Sequence, residues 1–267
     1  MSTGHARGGL ETTTTMATLR NLGKSHLILT VLALIALAIL ISLGNWQMRR
    51  LAWKEGLIST IAMRAEAEPV PLEEALDRWR VDGEIEYLPV HVAGTFHHDK
   101  EQYYYAPSTE GPGWNVYTPL ETEDGKVVFI NRGFVADAVK DPATRPQGQL
   151  PGIVGLVGLA RAAPKEKPNS FVPDNDVAGN AYYWPSLAEM ATAAGYDPNA
   201  ETLVPFFLDA KATEIRGGWP RGGTTRVELP NKHLGYAITW YGLALTLVGV
   251  YGAFMWKAWR GPEKTDA

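Results

Sequence analysis

The chain has 267 residues, of which 45% are hydrophobic and 20% are charged, and it contains no cysteine. Without cysteine it has no disulfide framework, no thiol nucleophile and no thiolate ligand for zinc, iron–sulfur clusters or covalent haem attachment. The net charge of −4 also argues against a nucleic-acid partner, for which an excess of lysine and arginine is expected.

An uncharged apolar block lies near the N-terminus. Residues Leu27–Leu43 read LILTVLALIALAILISL, and the chain stays uncharged as far as Met48. With its flanking residues, a helix of this length crosses a hydrocarbon core about 30 Å thick. A cleaved signal peptide is the alternative, because basic residues precede the block and small residues end it. The long apolar run and the interfacial Trp46 favour a retained transmembrane helix over residues 26–46.

A second uncharged block lies near the C-terminus. Residues Leu234–Trp256 include no charged side chain over 23 positions, which predicts a transmembrane helix over residues 233–256. The chain is therefore predicted to be a membrane protein with two spans that contact the lipid bilayer.

The distribution of charge predicts the orientation of these spans. The two terminal tails together carry six basic and three acidic residues, whereas the long segment between the spans carries 19 basic and 26 acidic residues. Because short basic segments stay on the cytoplasmic side, we predict cytoplasmic tails at residues 1–25, which we expect to be disordered, and 257–267. Residues 47–232 are then an exported domain, periplasmic at a bacterial inner (plasma) membrane. The mitochondrial inner membrane is the alternative, although the threonine-rich start is a poor transit peptide.

The segment between the spans is too long for a loop and is expected to fold as a domain. Helical spacing continues from the first span as far as Leu57, and short helices are expected from Pro71 and over Ser186–Gly195. Because the remaining pattern lacks long βαβ alternation, it predicts an antiparallel, mostly β domain, a barrel or a sandwich. Its strands are predicted at Tyr87–Phe96, Gln102–Ala106, Trp114–Leu120, Lys126–Val135, Ile153–Arg161, Leu203–Asp209 and Thr225–Leu229.

Motifs for nucleotide binding or hydrolysis are absent, so histidines are the first candidates for chemistry. His91, His97, His98 and Asp99 are close in sequence and could be offered as a metal site. Adjacent residues of a strand point to opposite faces, however, so we favour exposed histidines at the end of a strand.

Arg132 is a charge inside the apolar run VVFINRGFV, and we favour a buried ion pair over a catalytic role for it. The segment Asn131–Gly133 marks either a β-bulge or a turn.

His233 begins the second predicted span. On a helix it shares a face with Tyr236, Ala237 and Trp240. Two interpretations stay open: an axial ligand of haem iron, for which neutral imidazole is the commonest group, or a histidine solvated at the membrane interface.

Five motifs, in order along the chain, resemble those of the surfeit-locus protein 1 family, which are cytochrome oxidase biogenesis factors of bacterial and mitochondrial inner membranes. The first, WQMRRLAWK, follows the first span, and the last leads into the second span. The motifs are WQMRRLAWK at 46–54, VAGTF at 92–96, GWNVYTPL at 113–120, NRGFV at 131–135 and PNKHLGYAITWY at 230–241.

The resemblance implies a non-enzymatic assembly factor that helps to deliver haem a to subunit I of an aa3-type cytochrome c oxidase, close to haem a synthase. It also implies that His233 is the haem ligand. In that arrangement Tyr236 and Trp240 would contact the ring, and Arg49, Arg50 or Lys232 would pair with the propionates.

Two other classes of function remain open at this point. One is a chaperone that stabilises oxidase subunit I without touching haem. The other is an enzyme at the bilayer surface, with His91, His97 and Arg132 as its candidate groups.

Overall fold

The computed structural model describes residues 8–108, 111–224 and 231–260, with side chains of the first helix described from residue 25 onward. Its helices are α1 (Gly8–Ala65), α2 (Leu72–Asp82), α3 (Leu187–Ala193) and α4 (His233–Arg260). Its strands are β1 (Val70–Pro71), β2 (Pro89–Phe96), β3 (Gln102–Tyr105), β4 (Gly113–Glu121), β5 (Val127–Ala136), β6 (Ile153–Ala162) and β7 (Phe206–Ala210). The chain divides into two compact units, one of residues 1–57 with 230–267 and one of residues 58–229.

Both predicted membrane spans lie in long apolar helices. The segments Ser25–Ala65 of α1 and His233–Arg260 of α4 are long and apolar enough to cross a bilayer. Their large apolar side chains are mostly exposed, as lipid-facing side chains would be; Leu27, for example, is 65% exposed. The predicted membrane protein with two helices around a mostly β domain is confirmed in its fold class.

Helix α1 is longer than the predicted span at both ends. It begins at Gly8, inside the segment predicted as a disordered tail, and it continues past residue 46 to Ala65. Extending an existing helix requires no new nucleation, so the apolar span can support helix on both sides. No proline interrupts the sequence before Pro69, which disfavours helical conformation in the residue before it.

Helices α1 and α4 pack against each other in antiparallel directions within their unit. The Tyr241 hydroxyl donates to Asn45 Oδ1 over 2.7 Å, and Thr30 shares a hydrogen bond with Tyr251 towards the other end. Gly44 makes the close approach possible, because a Cβ at this position would lie 2.6 Å from the ring of Tyr241. Small residues allow helix backbones to come close in membranes, where packing drives association.

The second unit is a closed β-barrel. Strands β2, β6, β7, β5 and β4 are neighbours in that order, and β4 returns to β2 through the pairs Thr95–Glu121 and Phe96–Leu120. Strand β3 pairs with β4 and the two-residue β1 with β2, outside the ring. Pairing is antiparallel except between β1 and β2 and between β5 and β7. Of the two predicted architectures, the barrel is the one observed.

Six of the seven predicted strands are found, as are the two predicted short helices. The seventh, Thr225–Leu229, lies outside the described residues. Strand β1 was not predicted, because two residues are too few to show alternation.

The core lies on both sides of the barrel wall. Val90, Val92 and Ile130 are buried in the cluster that also holds Leu76 of α2. On the opposite face of β5, Phe129 is buried with Met190 of α3. Strand β5 is therefore buried on both faces, which explains its continuous apolar run.

The closure of the barrel predicts a selective effect of one added methyl group. A Cβ on Gly94 would lie 2.3 Å from the backbone oxygen of Glu121, whereas one on Gly155 would meet no atom nearer than 3.8 Å. We expect Gly94→Ala to lower the free energy of unfolding by about 1–3 kcal/mol, and the control Gly155→Ala to change it by less than about 0.5 kcal/mol. Denaturant unfolding of the full chain in detergent, followed by circular dichroism, measures both. Equal effects of the two variants would contradict the proposed crowding at the β2–β4 closure.

Candidate functional site

The candidate site at His233 is formed where the first residue of α4 faces an interior position of α1, within one unit. His233 is the first residue of α4 and is half-buried, and Gln47 on α1 is 8% exposed. The two side chains are 2.7 Å apart between His233 Nδ1 and Gln47 Oε1. Because an amide oxygen only accepts, Nδ1 carries the proton and donates.

This hydrogen bond determines the chemistry of the other ring nitrogen. With the proton on Nδ1, Nε2 of the neutral ring presents a lone pair, and no described residue hydrogen-bonds to it. A histidine that binds a metal commonly donates its second ring nitrogen to such an oxygen, which holds the ring in one tautomer and orientation. His233 therefore fits the requirements of a single axial ligand to haem iron.

The aromatic and basic side chains named from the sequence have different positions around this pair. The edge of the Trp46 ring faces His233, with centroids 6.5 Å apart. Arg50 lies over the ring of Trp53 at 4.4 Å. Arg49 is two residues after Gln47, about 200° around the helix, and therefore on the face opposite His233. Of the two arginines, Arg50 is the better placed to reach a group bound at His233.

On α4, the two predicted aromatic residues follow His233 on one face. Tyr236 is 55% exposed and Trp240 is half-buried. Lys232, immediately before α4, is exposed. These side chains are accessible to a flat apolar group that approaches His233, while Ala237 on the same face is buried.

A second polar cluster lies in the β-barrel unit and is almost completely buried. Glu101 is 1% exposed in its side chain, Arg132 is 3% exposed and Arg145 is 2% exposed. Arg132 Nη1 donates to Glu101 Oε1 over 3.2 Å, and the Arg145 guanidinium donates to both oxygens of the same carboxylate. The Tyr103 hydroxyl donates to Glu101 Oε2 over 3.0 Å. The prediction that Arg132 forms a buried ion pair is confirmed.

The pKa values of Glu101 and Arg132 leave both groups charged at neutral pH. Burial raises the pKa of Glu101, but contact with His98, hydrogen bonds from Arg145 and the positive charges of Arg145 and Arg132 outweigh it and lower the pKa to about 2. Burial lowers the pKa of Arg132 to about 10, a shift opposed by the charge of Glu101. Two cations thus share one carboxylate at neutral pH.

A β-bulge aims Arg132 into this cluster. Asn115 pairs with Phe134 and Tyr117 pairs with Asn131, so Arg132 and Gly133 together lie opposite the single residue between Asn115 and Tyr117. Gly133 has φ +111°, which favours glycine, and its Cβ would overlap the backbone of Arg221. Of the two alternatives for this segment, the bulge is correct.

The clustered histidines face different partners. His97 Nε2 lies 2.8 Å from Glu121 Oε2, while His98 Nε2 lies 3.1 Å from the backbone oxygen of Leu150 and its Nδ1 accepts from Arg132. His91 is exposed on β2, whereas His97 and His98 are half-buried against these partners, so the expectation of exposed histidines is correct for His91 and wrong for the other two. Among the described side chains, no group of three or more histidine or acidic residues could hold a metal ion.

Three residues of these sites were missed by the sequence predictions. Gln47 carried a signal, since it is a polar residue in the first motif that resembled a known family. Glu101 and Arg145 carried none, because each is one of many charged residues and their contact joins positions 44 apart.

The Glu101 cluster predicts a specific dependence of stability on pH. Because the pKa of Glu101 is about 2 in the folded chain against an ordinary value of 4.5, its contribution is complete above about pH 4.5 and is lost as the pH falls towards 2. We expect Glu101→Gln to lower the free energy of unfolding at pH 7 by about 3–5 kcal/mol, since it leaves two buried cations unpaired. The variant should also lose less stability than the wild type between pH 5 and pH 3.

Denaturant unfolding at several pH values measures this effect. Glu74→Gln is the matched control, because Glu74 pairs with Arg78 at the surface and its loss should cost less than about 1 kcal/mol. Parallel pH profiles of the wild type and Glu101→Gln would contradict the assignment.

The chain is similar in sequence to known proteins over most of its length. The model of the SURF1 family matches residues 34–245. Surfeit locus protein 1 of Gallus gallus is 37% identical over 231 residues, which cover 80% of this chain and 69% of the chicken protein. The Homo sapiens protein of that name is 37% identical over 219 residues, which cover 76% of this chain and 69% of the human protein. The Takifugu rubripes protein of that name is 34% identical over 233 residues, which cover 81% of this chain and 90% of the Takifugu protein. The range matched to the family includes both Gln47 and His233.

Proposed function

The chain belongs to the SURF1 family of cytochrome c oxidase assembly factors, and from this premise we propose that it assists the delivery of haem a to subunit I of an aa3-type oxidase. In this proposal it acts as a carrier and chaperone without catalysing a reaction, in an inner membrane and close to haem a synthase. Both termini are on the cytoplasmic or matrix side, and the β-barrel unit is on the opposite side.

The observation that carries the proposal is the hydrogen bond from His233 to Gln47. It holds the imidazole with Nε2 as the acceptor, which is the form that binds haem iron. Haem is the cargo, and its iron supplies the metal to which an imidazole coordinates.

The surroundings of His233 suit an amphiphilic cargo. Tyr236 and Trp240 offer aromatic surface on the apolar side, and Arg50 or Lys232 offers positive charge for carboxylates. The single protein ligand also suits a carrier, because cargo held by one bond is released more readily than cargo held by two. Arg49, on the opposite face of α1, is the least suited of the six residues expected to bind cargo.

Removal of the imidazole should abolish cargo binding. We expect purified His233→Ala to lose the haem absorption bands and the saturable haem titration of the wild type, and cells that carry it to have less haem a in their oxidase. His26→Ala is the matched control. His26 is also a histidine of this helix pair, on α1, but its ring contacts Phe254 of α4 and not Gln47. The measurements are optical spectra of protein purified from a host that makes haem a, and titration in detergent. Unchanged spectra and titration for His233→Ala would remove His233 from the site.

The role of Gln47 is separable from that of His233. Gln47→Leu removes the acceptor while His233 remains, and loss of such a supporting hydrogen bond lowers metal affinity by about 10–100-fold. We therefore expect weakened but measurable haem binding, with Gln47→Glu closer to the wild type because it restores an acceptor. If the wild type co-purifies with subunit I and holds no haem, a haem-independent chaperone replaces the proposed carrier.

A further inference from the structure

A cavity of about 460 Å³ opens into the β-barrel unit, separate from the residues around His233. Its size lies within the range of small-molecule sites in proteins. Its walls are largely apolar and come from the end of β2, from β6 and from the segment after β7, including Phe96, Val154, Leu156 and Ile215. An occupant therefore needs an apolar body.

The charged residues that line the cavity are mostly basic. Arg132, Lys211 and Arg216 line the cavity, against the single acidic residue Glu214. Arg216 is exposed and forms no ion pair with any described residue, and Lys211 uses one of its three donors on the backbone oxygen of Ala65, 3.0 Å away. The polar part of an occupant therefore needs a negative charge.

The buried guanidinium of Arg132 is the main feature that favours an anionic occupant. It alternates with Val128 and Ile130 on β5, so its side chain points to the interior, and its guanidinium lies over the ring of Phe96 at 4.9 Å. The only carboxylate that it contacts among the described residues, Glu101, is already bound by Arg145 through both oxygens. The buried cluster therefore has one more positive than negative charge, and an uncompensated buried charge is unfavourable.

We propose that this cavity binds an amphiphilic anion, a carboxylate or phosphate that carries an apolar chain, with the anion at Arg132 and Arg216 and the chain along Phe96 and Ile215. Such a ligand supplies the missing negative charge and fills the apolar walls. A free fatty acid and the head of an anionic lysophospholipid share this chemistry. This site shares no residue with the one around His233.

Photo-crosslinking tests the proposal on the full chain in nanodiscs of zwitterionic phosphatidylcholine. The probe is a fatty acid that carries a diazirine on its chain, and cross-linked peptides are mapped by mass spectrometry. We expect saturable labelling within residues 150–157 and 210–216, removed by excess oleate but not by its uncharged methyl ester. Labelling confined to the apolar helices, or equal competition by acid and ester, would overturn the proposal.

Competition separates the two sources of the anion. Displacement of the probe at lower concentrations of oleate than of lysophosphatidate identifies a fatty acid, and the reverse order identifies a lipid phosphate. If neither competitor displaces it, the proposal is overturned.

Two variants test the cationic groups. Arg132→Met leaves Glu101 and Arg145 as a neutral pair and should weaken probe binding by at least tenfold, as the loss of a charge-assisted hydrogen bond would. Because Arg132→Met could disturb folding, Arg216→Glu provides a second variant at an exposed position, and it should weaken binding severalfold. Arg80→Glu on α2 is the matched control, since Arg80 pairs with Asp77 at the surface and does not line the cavity. Unchanged binding in Arg216→Glu, or an equal loss in Arg80→Glu, would overturn the proposal.

Discussion

The pairing of β2 with β4 is the constraint on which the β-barrel unit depends. Without the pairs Thr95–Glu121 and Phe96–Leu120, the strands would form an open sheet and not a ring. Closure encloses the interior cluster around Ile130 and places Phe96 beneath the guanidinium of Arg132. The lack of a side chain at Gly94 permits this approach, so Gly94 contributes to the position of Arg132 without touching it.

The two polar sites satisfy their buried groups in opposite ways. In the barrel, Glu101 is held by two arginines and a tyrosine, and its geometry is fixed by many contacts. At the helix pair, His233 and Gln47 make one described hydrogen bond with each other. A group held by many partners is suited to maintain structure, whereas a ring held at one nitrogen keeps the other available for a ligand.

The sequence was most informative where one face of an element is buried. The alternation of Val90 and Val92 with His91 predicted β2, and its buried and exposed residues alternate in the same way. The apolar run of β5 predicted a strand but could not assign Phe129 and Ile130 to opposite faces, because both faces are covered. Periodicity within a segment carries no information about what lies against it.

Long-range polar contacts were the least predictable part of both sites. Glu101 and Arg145 are 44 residues apart, and neither has a local pattern that names the other. His233 was found as a candidate because an ionisable residue at the end of an apolar span is unusual. Its partner Gln47 belongs to a motif, but the motif does not predict that Gln47 contacts His233, since sequence alone does not give the register of two packed helices.

The separation of Gln47 and His233 along the chain has a consequence for biosynthesis. They are 186 residues apart, and at a translation rate of about 5–20 residues per second the ribosome reaches His233 roughly 10–40 s after Gln47. Throughout that interval the first helix can enter the bilayer and the barrel can fold. The pair of Gln47 and His233 does not exist, because His233 has not yet been synthesised. A nascent chain is therefore unable to assemble this pair prematurely, and its formation marks a protein in which synthesis of the second apolar helix has begun.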